Sequence, residues 1–214
     1  MADSKPVLIN AGVEPTPANP HSHMPLLGDP PGESGPGDVR TLYGVLRPSY
    51  RGHANSITAL VRAKVTVAAP AGTPAWTVTA HRAEVVLPCH ADDRLLDPRT
   101  LIEMVEAQHP PAGEALATYV TLTWAPTRLH AAFERGRALA RWLNDEFGVA
   151  VLLVQHVPAL NASSAPHHLH AIIPGPRRLA PWGGYAEYVK PLCRDGGRQL
   201  VVDQLARLIA AERP

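Results

Sequence analysis

From Asn55 onward the chain alternates apolar with polar positions. Ile57, Ala59, Val61, Ala63, Val65 and Val67 interleave with Ser56, Thr58, Arg62, Lys64 and Thr66. A period of two predicts a strand with one face on a core. Residues 78–87 (VTAHRAEVVL) predict a second strand, stopped by Pro88. Asp97 and Pro98 form an N-cap and first-turn pair that opens a short helix, PRTLIEMVEAQH, ending near Pro110. Residues 119–124 (YVTLTW) predict a third strand from their β-branched and aromatic content. Leu129, Ala132, Phe133, Gly136, Leu139, Ala140, Leu143 and Phe147 then recur at helical steps, and Gly148 sits where a C′ glycine belongs. An apolar strand (149–155, VAVLLVQ), a loop (VPALNASSAP) and another strand (167–173, HHLHAII) follow. A short helix over 185–193 and an amphipathic one over 198–212 close the pattern. Strands interleaved with helices, two of them joined by a simple loop, predict an α+β fold: a mainly antiparallel β-sheet flanked by helices.

Residues 1–40 lack this patterning. They are dense in Pro, Gly, Asn, Asp and Ser, as in GDPPGESGPGD at 28–38, and predict a flexible, disordered arm ahead of a single domain over 41–214. There is no internal repeat.

Composition narrows the function classes. A chain of 214 residues with 45% hydrophobic residues suits one domain with a real core, or one domain plus a tail. A formal charge of +1 excludes a strongly basic nucleic-acid wrapper and an acidic solvating tail. No apolar run approaches the roughly 18 residues of a membrane span, and MADSKPVLINAGVEP carries no secretory h-region. Cys89 and Cys193 are too few for a disulfide framework. No membrane partner and a cytoplasmic location are therefore expected. The basic residues are arginine apart from Lys5, Lys64 and Lys190. Arginine grips phosphate bidentately, but GC-rich coding sequence produces the same bias.

The chemistry lies in the histidines. His168 and His170 are two apart on a predicted strand, so both imidazoles project from one face while Leu169, Ala171 and Ile173 face the other. His156 ends the preceding strand. If the two strands pair, three imidazoles converge, a ligand set for a divalent metal with open coordination positions. Such a metal polarises a phosphoryl or carbonyl oxygen. An ordinary polar strand surface is the bland alternative. Glu84 could supply an acidic group behind the ligands, or be a solvated strand residue.

The run QHVPALNASSAPHHLHAIIPGPRRLAPWG resembles the metal-binding heart of the MobA/MobL plasmid mobilisation relaxases, of the HUH endonuclease class. The matching positions are His156, His168, His170, Arg177, Arg178 and Gly183, and the resemblance covers roughly the C-terminal half, from about Ala117. It implies an HUH/relaxase-like fold whose three-histidine metal (Mn or Mg first, Zn or Ni as alternatives) holds the scissile phosphate. A tyrosine hydroxyl would attack it and become linked to the 5′ end of the DNA. The implied partners are single-stranded or supercoiled plasmid DNA and mobilisation accessory proteins, with Arg177 and Arg178 contacting the DNA backbone. The chain ends soon after this region, so a minimal relaxase without a helicase or primase domain is expected.

The chain departs from the family's pattern in a longer loop between His156 and His168 and in the context of its nucleophile. Tyr50 in PSYRGHANS is the best candidate, since Arg51 and Gly52 resemble the family's Tyr-Arg-x-Gly step, although no helix pattern surrounds it. Tyr43 is a weaker candidate and Tyr119 reads as sheet packing. Tyr185 and Tyr188, downstream on a predicted helix, would suit a single-tyrosine transposase of the same class. A catalytically inactive HUH-fold DNA-binding accessory protein and a metal hydrolase unrelated to DNA complete the alternatives. A histidine-triad hydrolase is excluded because its third alternating histidine would fall on Ile172. Asn19-Pro20-His21-Ser22-His23 also spells the family's core motif, but it sits in the Pro-rich arm and reads as coincidence.

Overall fold

The computed structural model describes residues 5–17, 19–110, 113–124, 128–181 and 183–212. Its strands are β1 (Val7–Leu8), β2 (Leu26–Gly28), β3 (Val39–Leu46), β4 (Ser49–Tyr50), β5 (His53–Ala54), β6 (Arg82–Val86), β7 (Ala117–Trp124), β8 (Val151–His156), β9 (His168–Pro174), β10 (Arg177–Leu179) and β11 (Tyr185–Tyr188). The α-helices are α1 (Ile57–Val65), α2 (Pro98–Ala107), α3 (Leu129–Phe147) and α4 (Gly197–Ala211).

Seven strands build one antiparallel sheet in the order β1-β2-β3-β7-β9-β8-β6. Each face carries a core, as the period of two requires. On one side Leu169, Ala171 and Ile173 of β9 pack with Phe133, Leu139 and Leu143 of α3 and Val201 and Leu205 of α4. On the other, Leu152, Val154 and Ile172 pack with Ile57, Leu60 and Val61 of α1 and Leu101, Ile102 and Val105 of α2. Since Ile172 faces α1 and α2, His168 and His170 project there too, at the β9 end that pairs with Thr123 and His156. The expected α+β fold, an antiparallel sheet flanked by helices, is the one observed.

Three expected elements differ. The alternating stretch after Asn55 is helix α1, capped by the Ser56 side chain accepting from the Ala59 amide. Its buried positions, Ile57, Leu60, Val61, Lys64 and Val65, follow the helical period, while Ala59 and Ala63 are exposed. Those two alanines completed the apparent alternation, and alanine is the best helix former. The expected helix over 185–193 is strand β11 followed by a short 3-10 turn at Lys190–Cys193, and β11 pairs with β10 in a separate hairpin.

The described part of the expected arm is folded. Residues 7–8 and 26–28 extend the main sheet, and Met24 and Leu26 lie in the core. What holds this segment is polar and non-periodic. The Asn10 side chain donates to the carbonyls of His21 and Met24 and accepts from the Leu26 amide. Asp29 accepts from the Thr41 amide and pairs with Arg198 of α4, both buried.

Candidate metal centre

β8 and β9 place His156 directly across from His168. The ring centroids of His156, His168 and His170 stand 5.1, 4.6 and 4.8 Å apart. One nitrogen from each can be chosen so that all three lie within 4.8 Å of one another. His170 is buried, and the other two are half-buried.

Hydrogen bonds select the nitrogen that each ring offers. His156 Nε2 lies 2.7 Å from the Lys64 carbonyl, which can only accept, so Nε2 carries the proton and Nδ1 the lone pair. His168 Nδ1 lies 3.0 Å from the Pro166 carbonyl, which leaves Nε2 free. His170 Nδ1 lies 2.8 Å from the Tyr119 hydroxyl and 2.9 Å from that of Thr121, either of which can accept from it and leave Nε2 free. In the tautomer in which His170 Nδ1 donates to one of these hydroxyls, Nε2 and His156 Nδ1 face each other at 3.3 Å as two lone pairs, an arrangement that a cation between them relieves; in the other, Nε2–H donates to His156 Nδ1. Metal-binding histidines are held in this way, each with its other nitrogen anchored. Burial keeps the rings neutral: it pulls His156 down to about 4, lowers His168, and holds His170 well below the ordinary imidazole value. The three residues fit a divalent metal. An all-nitrogen set suits Zn or Ni better than Mg, which takes oxygen ligands.

Three residues of this neighbourhood were not anticipated from the sequence. His21, in the motif read as coincidence, has its ring 6.1 Å from that of His170 and its Nε2 2.5 Å from the Tyr119 hydroxyl. Its companion His23 turns away to Asn55 and the Thr16 carbonyl, so the motif does not form a second metal site. Tyr119 is packed in the sheet as expected, fully buried, but its hydroxyl bridges His21 and His170. Lys64 ends α1 with Nζ 2.7 Å from His21 Nε2. The available signal was a lysine on the helical period of an otherwise apolar face, hidden while that stretch read as a strand.

The other candidates lie elsewhere. Tyr50 sits on the β4–β5 hairpin before the N-terminus of α1, while the histidines meet the C-terminal end of that helix, about 12 Å away along its axis. Its ring contact is with the Arg51 guanidinium. Arg177 and Arg178 follow the far end of β9, about 20 Å along the strand from His168. The Arg177 guanidinium turns inward to the carbonyls of Gln108, Tyr185 and Ala186, whereas Arg178 is exposed beside Glu187. Tyr185 and Tyr188, in the hairpin beyond that end, are equally remote, which removes the transposase-like arrangement on a helix. The Tyr43 hydroxyl is committed to the Leu192 carbonyl. Glu84 belongs to an ion network with Arg82 and Arg137 rather than standing behind the ligands.

Beside the histidines a cavity of ≈ 270 Å³ opens between His156, His81, Val67, Thr79, Leu160 and Ser163. Fold and site together define an α+β protein, an antiparallel sheet flanked by helices, with a three-histidine cluster at one end of the sheet. No family model matches the chain, and no curated protein matches it significantly. A solved structure described as the molecular basis of vancomycin resistance transfer in Staphylococcus aureus shares the fold, with a TM-score of 0.51 and 17% identity over 61% of this chain and 68% of that one. The resemblance to the MobA/MobL family rests on the sequence motif alone.

Proposed function

We propose that this chain is a metal-dependent, relaxase-like DNA strand transferase of the MobA/MobL kind that nicks single-stranded DNA in plasmid mobilisation. The observation that carries the reading is the convergence of three neutral imidazole lone pairs, His156 Nδ1, His168 Nε2 and His170 Nε2, on one point at the end of a relaxase-like sheet. A divalent metal bound there supplies Lewis acidity toward a phosphate oxygen. The chain's own part is to hold three imidazoles together, two of them in tautomers fixed by backbone carbonyls, and to leave a cavity beside His156 for what the phosphate carries.

Tyr50 is the nucleophile in this reading. Tyr43 and Tyr119 are buried and hydrogen-bonded, while Tyr50 lies half-exposed on a surface hairpin. Attack requires the hairpin and the scissile phosphate to meet, through DNA that spans α1 or through movement of the hairpin. The separation of Tyr50 from the histidines favours a second reading, an HUH-fold DNA-binding accessory protein that does not cleave. Arg178, exposed, is the better placed of the two arginines for a backbone contact.

The test is a Mn-dependent reaction with a fluorescent single-stranded oligonucleotide pool, read on a denaturing protein gel. A covalent adduct that disappears in Tyr50→Phe and in His168→Ala is the expected result. Binding without an adduct supports the accessory reading. A chain that neither binds nor cleaves single-stranded DNA, with Mn bound, points to the metal hydrolase.

A further inference from the structure

Four residues lie side by side across the strand ends that carry the histidines. Arg40 of β3 pairs with Thr123 of β7, Thr123 with His168 of β9, and His168 with His156 of β8. Residues directly opposite one another in an antiparallel sheet share a face. Val39, Tyr43 and Val45 of β3 belong to the core under α3 and α4, and Leu46 to the core under α1 and α2. By the alternation along β3, Arg40 therefore stands on the face of the histidines. Every member of this row is half-buried, whereas Thr121 and His170, two residues further in, are buried. The row is the open border of the site.

Arg40 lacks an anion. Its Nε is shielded from solvent with no hydrogen-bond partner, and among the described residues no carboxylate pairs with its guanidinium. A guanidinium keeps its charge at every pH a protein meets, and a desolvated donor without an acceptor is costly. Arg40 and His168 are two strands apart, about 10 Å between backbones, with Thr123 between them. That gap suits neighbouring groups along a chain rather than two oxygens of one phosphate. A nucleic-acid strand carries a phosphate on every nucleotide, so a strand that offers one to the histidines offers the next toward the arginine. On the opposite side of the histidines lies the cavity lined by His156 and by His81, which immediately precedes the Arg82–Gln155 pair of β6 and β8. The histidines thus stand between a cation and a cavity.

We propose that Arg40 binds the backbone of a single-stranded DNA laid across this row, at a phosphate next to the one held at His156, His168 and His170, with the strand continuing toward the cavity. The inference rests on the DNA reading above. Arg40 is a positioning residue in it, fixing where the strand lies without reading its sequence.

The experiment measures binding of a fluorescein-labelled single-stranded oligonucleotide pool by anisotropy over a series of KCl concentrations, with and without Mn2+, for wild type, Arg40→Gln and Arg40→Lys. Each phosphate neutralised on a single strand contributes about 0.7 to the slope of log K against log salt. Arg40→Gln is expected to reduce the slope by about that amount and to weaken binding severalfold at low salt. Arg40→Lys should keep the slope, since an ammonium also neutralises a phosphate, while losing part of the affinity that the planar fork supplies. Calorimetric Mn2+ affinity should be the same in all three proteins, which disruption of the histidines would not allow. Arg40→Met replaces Arg40→Gln if the latter does not fold. Weaker binding at an unchanged slope, or unchanged binding, overturns the role of Arg40 and leaves the DNA reading standing. A wild-type protein that binds no oligonucleotide overturns the DNA reading itself, and the strand path with it.

Discussion

A histidine offers a metal whichever nitrogen its surroundings leave free, so the decisive residues of this site are the acceptors behind the rings. Two of them are backbone carbonyls, at Lys64 and Pro166, and no side-chain substitution removes them. The third position is different: His170 Nδ1 depends on the hydroxyls of Tyr119 and Thr121. Removing both, with Tyr119→Phe and Thr121→Val, keeps the packing volume and leaves a buried N–H without a partner. Metal affinity is expected to fall about tenfold or more, the usual effect of stripping the support from a ligand. Calorimetric titration of Mn2+ or Zn2+ checks this, with each single variant intermediate because either hydroxyl alone still accepts. Equal affinity in the double variant would mean that the tautomer of His170 is fixed by something other than these hydroxyls.

At the scale of elements, the histidine strand is positioned by the helix beneath it. Gly136 of α3 lies against the Leu169 side chain, and a Cβ at that position would collide with Leu169 Cδ2. Leu169 stands between His168 and His170, so pressure on it is pressure on the histidine strand. Gly136→Ala gains roughly 1 kcal/mol of helix propensity, against roughly 1–3 kcal/mol of overpacking. A net loss of stability is expected in urea melts, together with weaker metal binding, and an unchanged midpoint would show that α3 can shift without cost. This pair also marks what was legible in the sequence. Helix α3 and strands β8 and β9 were readable because their apolar periods are long and unambiguous, and the His156, His168 and His170 set followed from strand geometry alone. Helix α1 was not readable, because Ala59 and Ala63 fit both periods, and Lys64 was lost with it. Residues 5–38 were missed for another reason: Asn10 and Asp29 act through contacts distant in sequence, which no local pattern reports.

For the whole molecule, the price of carrying four imidazoles at one end of the sheet, His170 buried and His21, His156 and His168 half-buried, is paid in acid. His21 and His156 titrate at about 3 and about 4 in the folded protein, and His168 and His170 are lowered as well. In the unfolded chain each returns to roughly 6.5. Between those values the unfolded state binds more protons than the folded one, so stability rises with pH across the window. It is complete above about 6.5 and drains away as the pH falls toward about 4. The melting temperature should drop over that range more steeply in wild type than in His156→Gln, which has one fewer proton to take up on unfolding. The comparison separates the histidines from carboxylates that titrate nearby, because those are common to both proteins. Saturating metal should add to stability, roughly 2.7 kcal/mol at a hundredfold excess over Kd. Because the ligand rings are already neutral, that increment should persist well below the ordinary histidine range and collapse only as the folded-state values are approached. Parallel pH profiles for the two proteins, or a metal increment lost already near pH 6.5, would show that burial does not hold these rings neutral and would remove the basis on which their lone pairs were assigned to a metal.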